Sequence, residues 1–271
     1  MIWFVLALFV ASPALSYAEG QQAPAPAAQE EFVPQVGQAG KDVVWVPTPP
    51  ELVEAMLDLA KVTAQDYVMD LGSGDGRNVI AAAKRGATAT GVEYNPNMVQ
   101  LSKKNAAAAG VTGKATFVEG DMYKADISKA SVMALFLLPS NMLELREKFV
   151  NLRPGSRIVS NTFGIEGWSA DETVTIEKDC SAWCTALLWI VPARVAGTWR
   201  TPEGTLVLEQ QYQMLSGTLN GKPIQAGRLR GEQIRFLVGT AEYTGKVNGT
   251  RIDGSLRSGG PAEAWTATKT S

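Results

Sequence analysis

The stretch VMDLGSGDGRNVI, residues 68–80, limits the fold of this chain more than any other part of the sequence. An apolar run reaches Asp70, glycines follow at positions 72, 74 and 76, and a helix-like segment comes next. Glycine adopts backbone angles that other residues avoid and lets a ligand approach the main chain closely. The pattern predicts a buried strand, a ligand-binding turn and a helix. The lysine of a phosphate-binding P-loop is missing from it.

Strand-like and helix-like segments alternate from this motif as far as RIVSNTF, which ends at residue 163. The segments TVTIEKD and TALLWIVPA then resemble an antiparallel pair. We therefore predict an α/β domain over residues 41–192, built on a doubly wound sheet with an antiparallel last strand.

The C-terminal residues 193–271 follow a different pattern of short alternating stretches. Turn signals recur every eight to ten residues, for example at Asn220-Gly221 and Asn248-Gly249. This spacing predicts a small all-β antiparallel domain, either a barrel or a curled sheet. It is too short for a full lipocalin-like barrel, and its partner is unknown.

Two residues near the motif have local interpretations. Thr48 is predicted to be the N-cap of the helix in WVPTPPELVEAMLDLAKV, with Pro49 at its first position and Glu51 as the reciprocal capping partner. Arg77 is interpreted as a solvated helix residue rather than a catalytic one.

Acidic residues follow three consecutive predicted strands. Asp70 ends the first strand, Glu93 ends the second, and Asp121 follows the third. A carboxylate at the end of the second strand can accept both hydroxyls of a ribose. The third can accept a hydrogen bond from an adenine amine. The series predicts a site for an adenosyl ligand.

The motifs DLGSGDG, GVEYN and EGDMY resemble those of the class I, seven-β-strand S-adenosylmethionine-dependent methyltransferases. The resemblance covers residues 41–192 and implies a Rossmann-like methyltransferase sheet that binds S-adenosyl-L-methionine. It implies that Asp70 orients the amino group, that Glu93 holds the ribose, and that Asp121 and Met122 hold the adenine. The other implied cofactor-binding residues are Thr48, Gly72, Ser73, Gly74, Gly76 and Tyr94.

A narrower resemblance is to the small protein-lysine methyltransferases of the ATP-synthase c-subunit type. It rests on VPTP, DLGSGDGRNVIAAAKRGA, GVEYNPNMV and FLLPSNM. It implies that the segment containing Thr48 closes over the cofactor and that Pro139, Ser140 and Asn141 edge the acceptor site. The alternative for these three residues is a plain strand exit and helix start. A leader and a C-terminal domain distinguish this chain from that family.

Composition excludes several kinds of chemistry. The chain has no histidine, which removes histidine bases, Ser-His and Cys-His pairs and histidine metal ligands. With two cysteines as well, we expect no metal site. The net charge of −2 and the lack of long basic runs argue against a nucleic-acid partner. We expect the partner to be a methyl acceptor, either a protein side chain or a small molecule.

The first 18 residues are typical of a signal peptide, with an apolar core, Pro13 and a cleavage site after Ala18. Residues 19–40 are rich in Pro, Ala and Gln and predict a flexible linker. Export to the periplasm or envelope would let Cys180 and Cys184 close a disulfide, whereas in the cytosol they would be inert thiols.

Three hypotheses follow. The chain is an exported methyltransferase, an exported non-catalytic protein that uses the fold to bind a ligand or partner, or a methyltransferase tethered to the inner membrane by an uncleaved leader.

Overall fold

The computed structural model describes residues 1–3, 32–177 and 180–270. The chain divides into two units, Met1–Phe32 and Val33–Ser271. Of the first unit, residues 1–3 are exposed. The predicted signal peptide beyond residue 3, its cleavage site and the predicted linker up to residue 31 lie outside the described residues. In the parts of the chain that are described, no helix is long and apolar enough to cross a membrane.

The second unit contains a seven-stranded sheet with the strand order β3-β2-β1-β4-β5-β7-β6. The first five strands are parallel, and β7 runs antiparallel to both β5 and β6. This confirms the predicted sheet and its antiparallel end. The strands are β1 (Tyr67–Leu71), β2 (Thr88–Glu93), β3 (Ala115–Glu119), β4 (Val132–Leu135), β5 (Arg157–Asn161), β6 (Glu172–Thr175) and β7 (Thr185–Ile190).

Helices cover both faces of this sheet, which is why the central strands read as continuous apolar runs. The helices are α1 (Pro50–Leu59), α2 (Arg77–Lys84), α3 (Pro96–Ala108) and α4 (Pro139–Val150). The first three contribute to one apolar core and α4 contributes to the other. The strand order reverses between β1 and β4, and open α/β sheets bind ligands at such a switch point.

The predicted N-cap of α1 is wrong. Pro49 is the N-cap, the helix begins at Pro50, and no side chain caps it. The reason is steric, because a residue that precedes proline is disfavoured in the helical conformation. Pro49 therefore stays extended before Pro50, and the buried Thr48 hydroxyl faces Asn161, whose Nδ2 lies 3.4 Å away.

The C-terminal strands form a second sheet, in which every neighbouring pair is antiparallel. Because β9 pairs with both β8 and β10, eight of the strands close into a ring. The all-β prediction is confirmed, and of its two forms the structure has the barrel. The expectation that the segment is too short for a full barrel of the lipocalin strand number is wrong, because strands of five to eight residues are enough to close an eight-stranded ring. The strands are β8 (Gly197–Thr201), β9 (Gly204–Gln211), β10 (Met214–Leu219), β11 (Lys222–Pro223), β12 (Gln225–Arg230), β13 (Gln233–Val238), β14 (Ala241–Asn248), β15 (Arg251–Arg257) and β16 (Glu263–Lys269).

Aromatic side chains fill the barrel. Phe236 stacks on Tyr243 with ring centroids 4.9 Å apart, and Trp265 meets both rings edge-on. Trp199 is completely buried in the same core. An eight-stranded barrel has an interior about wide enough for its own side chains, so this barrel resembles a packed core more than a ligand container.

The barrel contacts the connection that leads from β5 into β6. Arg228 donates to the Asp171 carboxylate at 2.7 Å, and that carboxylate has no exposed surface. Trp168 and Tyr212 stack with centroids 5.1 Å apart, and Gln213 donates to the Ser169 carbonyl at 2.7 Å. The contact combines a stacked aromatic pair with an ion pair whose acidic partner is buried.

Candidate active site

A cleft lies at the carboxyl ends of the parallel strands, beside the switch point. Its lining includes nine of the ten residues predicted to bind the cofactor, namely Thr48, Asp70, Gly72, Ser73, Gly74, Glu93, Tyr94, Asp121 and Met122. The tenth, Gly76, packs against the Phe117 ring beneath the turn. The sequence motifs are therefore brought together in one place.

At the glycine turn, main-chain atoms without a side chain line this cleft. Gly72 and Gly74 have φ angles of +73° and +54°, in the left-handed region that favours glycine. A Cβ atom on Gly74 would lie 2.7 Å from Nε1 of Trp45. The turn is held to β2 by a hydrogen bond from the Gly72 amide to the Val92 carbonyl at 2.8 Å. A side chain at position 74 would displace Trp45.

The Glu93 carboxylate is fixed at the end of β2. One oxygen accepts from the Gly74 amide at 2.9 Å, and the other accepts from the Asn95 amide at 2.9 Å. Each carboxylate oxygen has a further lone pair. The carboxylate can therefore accept two more hydrogen bonds, as a ribose diol requires.

Asp70 is buried at the end of β1, with 3% of its surface exposed. Burial raises the pKa of its carboxyl well above the usual value, and the nearby Glu93 and Asp75 carboxylates raise it further. Only the hydrogen bond from Asn78 Nδ2, at 3.1 Å, opposes this pKa shift. A cation bound beside Asp70 would relieve the cost of its charge.

Asp121 has the opposite environment on the rim of the cleft. Lys41 donates to it at 3.0 Å and the Tyr123 amide at 2.9 Å, and these contacts lower the pKa of the Asp121 carboxyl. The Lys41 ammonium also lies 5.1 Å from the centre of the Tyr94 ring. Met122, next in the chain, is buried.

Residues 38–48, here called the N-terminal strap, line one side of the cleft. The Trp45 amide donates to the Gln38 carbonyl at 3.0 Å, and the Gly37 amide donates to the Trp45 carbonyl at 2.8 Å. The resemblance implied that the VPTP segment closes over the cofactor, but the contribution of residues 38–45 was missed from the sequence. Trp45 was the available signal, because a tryptophan is unusual beside a proline-rich linker.

Arg77 holds the end of the strap and is not the solvated residue that we expected. Its Nη1 donates to the Thr48 carbonyl at 2.6 Å, while its Nε and Nη2 donate to the two Asp75 oxygens at 2.9 and 2.5 Å. Arg77 thus joins helix α2 to the strap directly above the glycine turn.

The three acceptor candidates lie at the start of α4, and none belongs to the lining of the cleft. Asn141 is buried, and its Oδ1 accepts from the Leu138 amide at 3.1 Å. Its Nδ2 donates to the Tyr123 hydroxyl at 2.7 Å. The first contact caps helix α4, and the second joins the start of the helix to Tyr123. Pro139 and Ser140 are exposed. Their part in acceptor binding stays a prediction.

The residues present fit S-adenosylmethionine. The ligand carries a ribose, an adenine amine and two cationic groups, and the cleft offers a fixed carboxylate, a rim carboxylate and the buried Asp70. Ser73 is buried, and within the described chain its Oγ has no hydrogen-bond partner. Such an atom suits a polar ligand. No cluster of three or more metal-ligating side chains occurs among the residues that the structure describes.

Comparison with known proteins supports this assignment. Residues 70–172 match the family model described as the ANTKMT methyltransferase domain. A protein-lysine N-methyltransferase of Saccharolobus islandicus is 43% identical over 138 residues, which cover 50% of this chain and 86% of that protein. The human lysine N-methyltransferase named for the c-subunit of ATP synthase is 36% identical over 140 residues. These residues cover 51% of this chain and 59% of the human protein.

A solved structure supports the methyltransferase fold and names a different acceptor. An RNA methyltransferase from Salinibacter ruber, crystallised with S-adenosyl-L-homocysteine, is 42% identical and superposes with a TM-score of 0.52. The match covers 55% of this chain and 96% of that one. The chain thus belongs to the S-adenosylmethionine-dependent methyltransferases, in the family that contains the Saccharolobus islandicus enzyme.

Proposed function

We propose that this methyltransferase modifies a lysine side chain of a protein. The observation that carries the proposal is the 43% identity to a protein-lysine N-methyltransferase, which spans 86% of that relative.

When bound, S-adenosylmethionine supplies a methyl group already activated by a sulfonium. The chain has to orient this group and exclude water. Glu93 holds the ribose, Asp70 compensates positive charge, and the glycine turn lets the backbone approach. The strap lines one side of the cleft and is held by Arg77 and Lys41.

The acceptor nitrogen must be a neutral amine when it attacks the methyl group. Its lone pair forms the new N–C bond, the C–S bond breaks, and the sulfur keeps that electron pair. The methylated nitrogen then releases its extra proton to water. With no histidine in the chain, the group that takes the first proton from the amine is a carboxylate, a tyrosine, a backbone carbonyl or water.

The test is methyl transfer from tritiated S-adenosylmethionine to three acceptors: poly-L-lysine, poly-L-arginine and total RNA. Label on poly-L-lysine alone, lost in Glu93→Ala, is the expected result. Label on RNA alone would contradict the lysine acceptor and favour the chemistry named for the Salinibacter protein. The comparisons give no support to a non-catalytic binding protein.

We infer further that the chain works outside the cytosol. The signal-like leader supports this, and so does the bond between Cys180 and Cys184, because disulfides persist in oxidising compartments. The measurement is the N-terminal sequence of the protein recovered from cell fractions. A mature chain that begins at Glu19 in the periplasm is expected. An intact leader in the inner-membrane fraction would favour the tethered form, and an intact leader in the cytosol would contradict both.

A further inference from the structure

Three aromatic rings form a cluster at the same edge of the sheet as the cleft. Phe136 and Phe163 are stacked with ring centroids 6.1 Å apart. Trp183 lies 5.2 Å from the Phe163 ring and 6.1 Å from the Phe136 ring, tilted against both. Each ring therefore contacts the other two, and we call Phe136, Phe163 and Trp183 the aromatic triad.

The triad borders the cleft on the side away from the cofactor motifs. Phe136 directly follows β4 and belongs to the lining of the cleft. Phe163 follows the end of β5 by two residues, whereas the residues assigned to the cofactor follow β1, β2 and β3. The second substrate must also reach the methyl group. Since the cofactor occupies the side formed by β1, β2 and β3, we expect this substrate to approach from the side of β4 and β5.

Two of the three rings are positioned by unusual backbone. Thr162 has a φ of +58°, and the Phe163 amide bonds the Asn161 carbonyl at 2.6 Å across it, as in a tight γ-turn. Trp183 itself has a φ of +60°, which is an outlier for so bulky a residue. Such conformations persist where the surrounding structure enforces them, and they concentrate at ligand sites.

The disulfide holds the third ring in place. Cys180 and Cys184 close a short loop that contains Trp183. The loop is joined to the turn after β5, because the Thr162 amide donates to the Thr185 carbonyl at 2.7 Å. The bond thus restricts Trp183 to the neighbourhood of the two phenylalanines.

The triad keeps a surface for a ligand. Trp183 is 41% exposed, and the two phenylalanine rings are half-buried. Next to the triad, Asn161 is fully buried and its Oδ1 has no hydrogen-bond partner in the described chain. Aromatic faces attract alkylammonium ions, and a free acceptor oxygen suits an N–H donor.

We propose that the aromatic triad is the wall of the acceptor site and binds the alkylammonium end of a lysine or methylated lysine, with the disulfide fixing Trp183 there. This rests on the proposed lysine acceptor. The competing interpretation is that the three rings only pack the end of the β6–β7 hairpin. It predicts that Trp183 affects stability and not ligand choice.

The test is calorimetric titration of the full-length chain with Nα-acetyl-trimethyllysine methylamide, with and without S-adenosylhomocysteine. The neutral carbon isostere of the same compound, in which carbon replaces the quaternary nitrogen, measures the contribution of charge. We compare wild type with Trp183→Ala, Trp183→Phe and Val174→Ala, a control whose equally exposed side chain lies on the same hairpin.

We expect the trimethylated ligand to bind at least about fivefold more tightly than its isostere. Trp183→Ala should weaken this binding about tenfold, whereas Trp183→Phe and Val174→Ala should change it less than threefold. Affinity for S-adenosylhomocysteine should stay unchanged in all three variants, which shows that they are folded. The double variant Cys180→Ser/Cys184→Ser should also weaken binding of the trimethylated ligand, but less than Trp183→Ala does.

Two results would overturn the triad proposal: equal affinity for the trimethylated ligand and its isostere, or unchanged affinity for the trimethylated ligand in Trp183→Ala. If S-adenosylhomocysteine still binds in these experiments, the proposed lysine acceptor is not affected. If the wild type binds the cation but labels RNA and not poly-L-lysine, the proposed acceptor fails, and the triad proposal fails with it as a site for lysine.

Discussion

The Glu93 carboxylate accepts a hydrogen bond from the Gly74 amide at 2.9 Å, which joins the end of β2 to the turn after β1. The residue expected to hold the ribose therefore also holds the glycine turn. Removing the carboxylate should weaken cofactor binding twice, because the ribose loses its acceptor and the turn loses a hydrogen bond.

Glu93→Ala is expected to weaken S-adenosylhomocysteine binding roughly 10–100-fold, because each hydrogen bond to a charged group contributes about 1.5–3 kcal/mol. Glu119→Ala is a matched control, since Glu119 is exposed and pairs with Glu93 in register on β3. Calorimetry measures both. Equal losses of affinity in the two variants would show that binding depends on the total negative charge at this edge of the sheet and not on the Glu93 carboxylate.

Asp70 should make cofactor binding pH-dependent. The pKa of its buried carboxyl is raised in the free protein, and a cationic ligand favours the ionised form. Affinity should therefore be highest above this raised pKa and fall as the pH drops through it. Asp121 stays ionised in this window because its pKa is lowered.

Asp70→Asn should abolish that pH dependence and weaken binding about tenfold. It should not lower the Tm of the ligand-free protein, because at neutral pH a buried carboxylate with a raised pKa destabilises the fold. Titrations between pH 5 and pH 8 with a parallel melting curve test this. A pH profile unchanged by Asp70→Asn would place the titrating group elsewhere.

Gly74→Ala should disturb the strap. The new Cβ would lie 2.7 Å from Nε1 of Trp45 at a φ of +54°, so backbone strain of about 1 kcal/mol adds to a steric clash. We expect a Tm lower by several degrees and weaker S-adenosylhomocysteine binding. Gly113→Ala is the control, because nothing lies within 4 Å of its Cβ position. A Gly74→Ala variant with wild-type affinity would mean that Trp45 moves freely.

Lys41 is expected to slow the departure of the cofactor. It joins the strap to Asp121 by an exposed ion pair, and such pairs are individually weak because water screens them. Lys41→Ala should therefore increase the dissociation rate of S-adenosylhomocysteine by up to about fivefold. Stopped-flow displacement measures the rate, with Lys84→Ala as the exposed control. A slower dissociation rate would reverse the role assigned to Lys41.

Arg228 should matter for stability more than a surface arginine does. Its partner Asp171 is fully buried, so Arg228→Ala leaves a buried carboxylate without this partner and should cost about 2 kcal/mol. Arg235→Ala breaks an exposed pair with Glu242 and should cost less than about 1 kcal/mol. Urea unfolding of both variants compares the two costs. Equal values would mean that Asp171 gains water when Arg228 is removed.

The sequence predicted the elements whose signals are local. The glycine turn, Asp70, Glu93 and Asp121 lie in short motifs at the ends of strands, and the structure brings all of them to one cleft. Residues 38–45 of the strap and the role of Arg77 were missed because their contacts connect residues far apart in the chain, as in the bonds from Lys41 to Asp121 and from Arg77 to Thr48. Residue propensities describe local segments and do not predict contacts of this kind.

Two other differences have equally physical causes. Thr48 matched a capping pattern, but the steric effect of Pro50 on Pro49 moved the helix start. Closure of the barrel depends on pairing its first and last strands. Thr198 and Thr270, which are 72 residues apart, are hydrogen-bonded there. The spacing of turns along the sequence does not distinguish a closed barrel from a curled sheet.

Closure of the barrel limits how it can meet other molecules. An open sheet offers unpaired amide and carbonyl groups along its outer strands, and extended peptides or a second copy of the chain can add to them. In the ring formed by β8–β10 and β12–β16, every strand has a hydrogen-bonded neighbour on both sides, which leaves few such groups along a free edge. Recognition by the barrel must therefore depend on side chains and loops, and exposed charge on its outside can change without creating a template for aggregation.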